Sequence, residues 1–200
     1  EQELTHGWLG HGNKEELIRV MDDPNIHLIC ELGTWYGKSA EFMMNYRNDK
    51  GLICVDLWSN NDIKDGNQVI KYNDKYGSIL DKYPLYETFL GNLWNHKKRI
   101  IPLKMDTQKS LRKIKKMGYV PDAIYIDANH TYEYVKKDFE NFKPFLEKGG
   151  VIGFHDVDCP DWRGINKFWK ELEATGKYSM QTFVERGYRL QYGIGMLTIK

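Results

Sequence analysis

Five short apolar runs of this chain each end in a carboxylate, and this repeated pattern is the strongest indication of the fold. The acids that end the runs are Glu31, Asp56, Asp106, Asp127 and Asp156. Helical patterns separate the runs, and such alternation is typical of a parallel sheet covered by helices. Because parallel strands end at one edge, about 4.8 Å apart, we expect these acids at a single rim, where open α/β sheets bind ligands.

The order of the predicted elements indicates the α/β class: a Rossmann-like, doubly wound, mostly parallel seven-stranded sheet with a C-terminal antiparallel hairpin. The predicted strands are 27–31, 52–56, 100–106, 123–127 and 151–156, followed by a hairpin of 179–184 and 190–199. The predicted helices are 13–21, 38–47, 85–97, 107–117, 131–146 and 165–173. We expect Asn13 to cap the first helix, with Glu16 at the capping-box position.

Length and composition fit one globular domain. The chain has 200 residues and a net charge of +1, so its overall charge favours neither nucleic acid nor an anionic membrane as a partner. We expect one domain over residues 1–200, which can be a fragment of a longer protein because the chain opens without Met. No apolar run is long enough to span a bilayer, and the three cysteines suggest no disulfide framework, so we expect a cytoplasmic protein.

A basic run at residues 109–116 could indicate a nucleic-acid surface. Leu111, Ile114 and Met117 recur within and beside it at helical spacing. We therefore interpret the basic residues as the solvated face of an amphipathic helix and predict no nucleic-acid partner.

The first predicted strand runs into a loop with two glycines, Glu31-Leu-Gly33-Thr34-Trp-Tyr-Gly37-Lys-Ser39. Glycine lets the backbone turn tightly and approach a ligand closely, and the free N–H groups of the next helix point at an anion. Asp56 ends the next strand, where an acid accepts hydrogen bonds from ribose hydroxyls. Together these features predict an adenine-nucleotide site; the alternative is an ordinary strand-to-helix turn that needs glycine.

The glycine loop resembles motif I of class I methyltransferases that use S-adenosylmethionine. The segment Asp127-Ala-Asn-His130-Thr-Tyr132, with the later Gly149-Gly150-Val-Ile-Gly-Phe-His155-Asp156, is similar to one branch of that class. This branch, methyltransferase family 24, includes cephalosporin-hydroxylase-like proteins and macrolide sugar O-methyltransferases. The resemblance covers about residues 28–169 and implies S-adenosylmethionine as the cofactor.

The resemblance also implies which residues bind the cofactor. The glycine loop would hold the methionine end, Asp56 the ribose, and Asp106 with Thr107 the adenine. The full set of implied cofactor-binding residues is Glu31, Gly33, Thr34, Gly37, Ser39, Asp56, Asp106, Thr107 and Asp127.

Methyl transfer to a hydroxyl needs either a base that takes the proton or a metal that lowers the pKa of the hydroxyl. By the resemblance, His130 is the base, assisted by Asp127 as the second catalytic residue. Asp127 and Asp156 would bind a divalent metal, Mg²⁺ or Mn²⁺, with His155 as a further candidate ligand. Macrolide enzymes of this kind tend to carry Glu at the position of His155. The alternative for His130 is a histidine that caps the next helix.

Loops that overhang the rim are expected to contact the acceptor. Their aromatic rings offer faces for stacking on a sugar, and their amide and guanidinium groups offer donors for hydroxyls; core or lid packing is the alternative for the tryptophans. The predicted acceptor contacts are Trp58, Asn60, Asn61, Tyr132, Trp162 and Arg163.

The predicted activity is O-methylation of a small polar acceptor, a sugar or glycan, without a nucleic-acid or membrane partner. Two other classes stay open. A nicotinamide-dependent oxidoreductase would carry G-x-G-x-x-G, whereas this loop has G-x-x-x-G. A catalytically silent nucleotide-binding module would keep the fold and lose the base.

Overall fold

A computed structural model describes Gly7, Gly77 and residues 9–59, 63–65, 68–70, 79–186 and 191–200. Their strands are β1 (Leu28–Leu32), β2 (Gly51–Asp56), β3 (Ile63–Asp65), β4 (Gln68–Ile70), β5 (Ile100–Lys104), β6 (Ala123–Ile126), β7 (Val151–His155), β8 (Tyr178–Arg186) and β9 (Gln191–Ile199). The helices are α1 (His11–Asp22), α2 (Lys38–Tyr46), α3 (Leu85–Asn92), α4 (Thr107–Lys116), α5 (Tyr132–Phe142) and α6 (Arg163–Ala174), with 3₁₀ turns at Trp94–His96 and Lys143–Phe145.

Seven of these strands form one sheet in the order β5-β2-β1-β6-β7-β9-β8. The first five are parallel to one another, while β9 runs antiparallel to both β7 and β8. The predicted fold is confirmed, including the closing hairpin. The strands β3 and β4 form a separate small hairpin that was not predicted.

Helices cover both faces of the sheet. Successive strand residues point to opposite faces, so Ile29 lies in one apolar cluster and Cys30 in the other. The first cluster packs α1, α2 and α3 against the sheet through residues that include Leu17, Met21, Met43 and Phe89. The second packs α4, α5 and α6 through residues that include Ile114, Phe139, Phe142 and Phe168.

The predicted capping box of the first helix was wrong. Helix α1 begins at His11 after an extended Gly10, and both Asn13 and Glu16 lie buried inside it. The reason is tertiary, because Oε2 of Glu185 in β8 accepts the N–H of Gly12 at 3.1 Å. A carboxylate distant in sequence thus satisfies a donor that a local cap would have satisfied.

None of the helices in the described part of the chain has both the length and the apolar character needed to cross a membrane.

Candidate active site

The carboxyl ends of the central strands form one rim. The loop after β1 is tied to β2, since the N–H of Gly33 donates to the carbonyl of Val55, and to β6, since the N–H of Asp127 donates to the carbonyl of Leu32. Asp127 and Asp56 are both close enough to raise the pKa of Glu31. The structure therefore brings Glu31, Asp56 and Asp127 together, and Asp156 joins Asp127 at the histidines described below, so four of the five acids that the sequence singled out meet at the rim.

The glycine loop is shaped by two left-handed residues. Gly33 has φ +87°, and a Cβ there would lie 2.2 Å from the carbonyl oxygen of Asp127. Gly37 has φ +91° and is the N-cap of α2. The backbone of β6 therefore approaches the loop more closely than any side chain at position 33 would allow.

Asp56 holds the glycine loop. Its Oδ2 accepts the N–H groups of Thr34 and Trp35, both at 2.9 Å, and its Oδ1 accepts the N–H of Trp58 at 2.6 Å. Burial raises the pKa of Asp56, although these three donors act in the opposite direction. Sequence reasoning assigned this acid only to a ligand and missed its bonds to the loop.

Glu31 lies buried below the loop. The hydroxyl of Ser39 donates to its Oε1, while its Oε2 has no hydrogen-bond partner in the described part of the protein. Burial raises the pKa of Glu31 from 4.5 to about 8. The nearby Asp127 and Asp56 act in the same direction, whereas the Ser39 hydroxyl acts in the opposite direction. Glu31 is therefore a neutral acid at pH 7 in the ligand-free protein.

This raised pKa predicts how stability depends on pH. The native state keeps the proton of Glu31 up to about pH 8, whereas the unfolded chain releases it near pH 4.5. The contribution of Glu31 to stability is therefore lost as pH rises from about 4.5 to 8. Glu31→Gln keeps an acceptor for Ser39 and has no proton to lose. We expect the variant to match the unsubstituted protein near pH 4.5 and to be more stable at pH 8, measured by urea unfolding.

Two histidines and two aspartates meet beside this loop. Strands β6 and β7 pair with Ile126 opposite Phe154, so the residues that follow, Asp127 and His155, lie side by side. Nδ1 of His155 is 3.2 Å from Oδ1 of Asp127 and 3.4 Å from Oδ1 of Asp156. Nε2 of His130 is 3.7 Å from Oδ1 of Asp127 and 3.5 Å from Oδ2 of Asp156.

The two histidines have opposite electrostatic environments. Burial lowers the pKa of His130 and outweighs the attraction of Asp156 and Asp127. Burial also disfavours the charged form of His155, but its contacts with Asp127 and Asp156 outweigh burial and raise its pKa well above the ordinary value. His130 is therefore neutral at pH 7, whereas the two carboxylates favour the charged form of His155.

Donor atoms of Asp127, His130 and His155 lie within 4.8 Å of one another, as a metal site would require. Nε2 of His130 and both ring nitrogens of His155 are buried without a hydrogen-bond partner in the described chain. This geometric group contains His130 in place of Asp156, which the sequence had suggested as a ligand. Asp156 is still adjacent, and its left-handed backbone (φ 59°) directs the chain sharply out of β7.

The segment that precedes α6 closes one side of this cluster. The ring of Trp162 stacks on His130, with ring centres 4.9 Å apart and an interplanar angle of 26°. A Cβ on Gly164 would lie 2.3 Å from the backbone nitrogen of Tyr132 and 2.5 Å from the carbonyl oxygen of His130. The start of α6 therefore packs directly on the His130 loop, and Arg163 beside it is exposed.

Two other predicted acceptor contacts, Trp58 and Tyr132, pack against the apolar clusters. Trp58 does not overhang the rim: it is 5% exposed, packs on Phe89 and donates its indole N–H to the carbonyl of Trp35. The core alternative is thus correct for Trp58. Tyr132 packs on Phe168 in the second cluster, which gives no support to an acceptor contact. Asn60 and Asn61 lie outside the described residues.

The predicted adenine residues lie at the start of α4. Asp106 is the N-cap, and its Oδ1 accepts the N–H of Gln108 at 2.9 Å. The hydroxyl of Thr107 donates at 2.8 Å to Asp138, a buried acid of α5 that sequence reasoning missed. The sequence did contain an indication that Asp138 is buried, because it falls on the apolar stripe of α5 formed by Val135, Phe139 and Phe142.

A family described as Methyltransferase domain matches residues 30–157, which is more than half of the chain. The chain belongs to this methyltransferase family. The matched region contains the glycine loop, Asp56, the His130 loop and His155, so the family match covers the whole cluster described above.

Two uncharacterized proteins are similar in sequence to this methyltransferase. One, from Acanthamoeba polyphaga mimivirus, is 28% identical over 178 residues, which cover 84% of this chain and 70% of that protein. The other, from Sinorhizobium fredii, is 34% identical over 77 residues, which cover 38% of this chain and 8% of that protein. The aligned region thus spans only a small part of the Sinorhizobium protein.

Solved O-methyltransferase structures share the fold. An O-methyltransferase from Bacillus cereus, in complex with S-adenosylhomocysteine, superposes with a TM-score of 0.69 at 18% identity, covering 99% of this chain and 84% of that chain. A TDP-rhamnose 3'-O-methyltransferase of calicheamicin biosynthesis has a TM-score of 0.59 at 18% identity, covering 95% and 81%. At these identities the likeness establishes the fold, which is that of class I methyltransferases.

Proposed function

We propose that this methyltransferase transfers a methyl group from S-adenosylmethionine to a hydroxyl oxygen of a sugar. One observation supports the proposal most directly: Nε2 of His130 is buried without a hydrogen-bond partner among the described residues, beside Asp127 and Asp156 at the strand ends. A neutral imidazole held at this rim is a suitable general base for a hydroxyl.

The rim has separate places for the parts of the cofactor. We assign the methionine end to the loop after β1, which runs between Glu31 in β1 and Ser39 in the first turn of α2. We assign the ribose to Asp56 at the end of β2. The carboxylate of Asp56 would then accept hydrogen bonds from the ribose as well as from the loop backbone. The adenine then falls beyond β2, over the start of α4, because β5 is the next strand in the sheet.

The tautomer of His130 fits the role of base. Its ring hydrogen-bonds to the backbone of Ala128, which favours the protonated form. We assign this bond to an Nδ1–H donor, because Nε2 is the ring nitrogen without a partner. Nε2 then carries the lone pair that accepts the hydroxyl proton while the oxygen attacks the methyl group. Asp127 and Asp156 stabilise the imidazolium that results.

The sugar acceptor is supported by the segment around α6. Trp162 and the exposed Arg163 are the predicted acceptor contacts that lie beside His130, and an aromatic ring with a nearby guanidinium suits a sugar that bears hydroxyls or phosphate. The calicheamicin enzyme, which shares the fold, acts on TDP-rhamnose. We propose Asn60 and Asn61 as further contacts, together with Trp162 and Arg163.

The residues also fit a divalent metal ion. Imidazole nitrogens buried beside carboxylates are suitable metal donors once His155 has lost its proton, and imidazole favours transition ions over Mg²⁺. Asp127 and His155, with Asp156, would hold the ion, which when bound would lower the pKa of the acceptor hydroxyl. Calorimetric titration with Mn²⁺ should detect binding that His155→Ala abolishes; equal binding by the variant would contradict this ligand set.

Calorimetry with cofactors tests the proposed function. We expect micromolar binding of S-adenosylhomocysteine and no binding of NAD. Asp56→Ala should abolish nucleoside binding, since it removes the ribose acceptor and also releases the backbone of Thr34 and Trp35. Asp122→Ala is a matched control, because this acid bonds the backbone of His27 and Leu28 at the opposite end of β1. NAD binding by the protein would instead support an oxidoreductase.

We propose that residues 1–200 form a single methyltransferase domain. All three cysteines are free and buried, which is compatible with the reducing cytoplasm as its location.

A further inference from the structure

Asp138 is a buried acid that the proposed mechanism does not use. It lies on the apolar face of α5 and has no solvent exposure. Its Oδ1 accepts the hydroxyl of Thr107 at 2.8 Å, and its Oδ2 has no hydrogen-bond partner among the residues described. A carboxylate in such a place destabilises the native state, so a role beyond packing would explain its presence.

Helix α5 fixes the start of α4 at two points. Asp138 binds the side chain of Thr107, and one turn later Nδ2 of Asn141 donates to the carbonyl of Gln108 at 3.4 Å. Asp106 caps the same turn of α4. The first turn of α4 is therefore held by two contacts from α5 and by its own N-cap. The bond to Asp138 fixes the orientation of the Thr107 hydroxyl.

This turn lies where the proposed function places the adenine. Strand β5 pairs with β2 with Lys104 opposite Asp56, and α4 begins three residues after that pair, at Thr107. A nucleoside whose ribose is at Asp56 and whose methionine end is at the glycine loop must extend its base toward β5. The inference that follows rests on this placement.

The hydrogen bond to Asp138 decides which role Thr107 can have. A hydroxyl has one hydrogen to donate and two lone pairs. Because the hydrogen is given to Asp138, the oxygen of Thr107 can only accept a bond from a ligand. The 6-amino group of adenine is a donor, whereas the 6-oxo group of a hypoxanthine base is an acceptor.

We propose that Asp138 is a positioning residue that fixes the hydroxyl of Thr107 as a hydrogen-bond acceptor, and so selects a cofactor with a 6-amino purine over one with a 6-oxo purine. With a 6-oxo base, the oxygen of Thr107 would face the 6-oxo oxygen, and neither acceptor would have a donor. The loss of binding free energy is therefore larger than the loss of one hydrogen bond.

The test is the ratio of two dissociation constants, measured by calorimetry at pH 8. Burial raises the pKa of Asp138 from 3.8 to about 7, so the carboxylate form predominates at this pH. The probes are S-adenosylhomocysteine and S-inosylhomocysteine, which differ at the 6-position of the base and in the hydrogen on the neighbouring N1, so the change in the ratio on substitution of Thr107 or Asp138 is the quantity that reports on the 6-position. We expect the unsubstituted protein to prefer the adenosyl compound. Asp138→Leu and Thr107→Val should each reduce that preference about tenfold, and the double variant should reduce it no further.

The controls separate selection from a structural role. Thr107→Ser keeps the hydroxyl and should keep the ratio within about twofold of the unsubstituted value. A variant that weakens binding of both nucleosides equally, with the ratio unchanged, would show that Asp138 only supports the fold and would overturn the inference. An unchanged ratio in Thr107→Val would overturn it independently. A protein that binds neither nucleoside would instead overturn the proposed function on which the inference rests.

Discussion

His130→Ala is expected to lower the rate of methyl transfer by about 10²–10⁴-fold, which is the typical contribution of a positioned base. Nε2 of His130 is buried beside Asp127 and Asp156 at the rim. We assign to this nitrogen the lone pair that accepts the proton. The assay measures S-adenosylhomocysteine released from S-adenosylmethionine in the presence of a TDP-linked deoxysugar. The dissociation constant for S-adenosylhomocysteine should stay within about twofold, because the proposed base acts on the acceptor and is assigned no bond to the cofactor.

The control for this variant is His27→Ala. His27 is exposed beside the amino end of β1, at the edge of the sheet opposite the rim, so its loss should leave both rate and binding unchanged. A fully active His130→Ala enzyme would remove the base assignment. A variant that loses cofactor binding together with activity would show that His130 supports the site through its stacking with Trp162 instead.

Gly33→Ala is expected to abolish binding of S-adenosylhomocysteine and to lower the free energy of unfolding by at least about 2 kcal/mol. The backbone at Gly33 has φ +87°, and the added Cβ would lie 2.2 Å from the carbonyl oxygen and 2.5 Å from the carbonyl carbon of Asp127. Neither atom can move without shifting β6 away from β1. Calorimetry and urea unfolding measure the two effects.

Gly91→Ala provides the matched control. Gly91 lies inside α3, and a Cβ there would meet nothing within 4 Å, so alanine should stabilise the protein by about 0.5–1 kcal/mol. Retained cofactor binding by Gly33→Ala would contradict the close approach of the loop to β6 on which the site depends.

The elements were predictable where local pattern and burial agree. The strands of the parallel sheet read as continuous apolar runs because both of their faces are covered by helices, and predicted and observed bounds differ by only one or two residues. The boundary of α1 was not predictable, since its first turn is capped by Glu185, which is 173 residues away from Gly12.

Some side-chain positions in the site could also be predicted from the sequence, and others could not. Asp127 and Asp156 were expected to end neighbouring strands, because parallel strands deliver their ends to one rim. The structure places His155 between them, with its Nδ1 3.2 Å from Asp127 and 3.4 Å from Asp156. The burial of Trp58 could not be read from the sequence, since it depends on how α3 packs over the loop after β2.

The sequence alone determined the fold class, the family and four of the acids at the rim, because periodicity and strand-end residues are local properties of the chain. Only the tertiary structure decided how those groups are used. Tertiary contacts join Asp56 to the glycine loop and Thr107 to Asp138. Burial raises the pKa of Glu31 and lowers that of His130, while two carboxylates raise the pKa of His155. The physical reason is that solvation and hydrogen bonding depend on groups far apart in sequence, and these set the charge of each side chain.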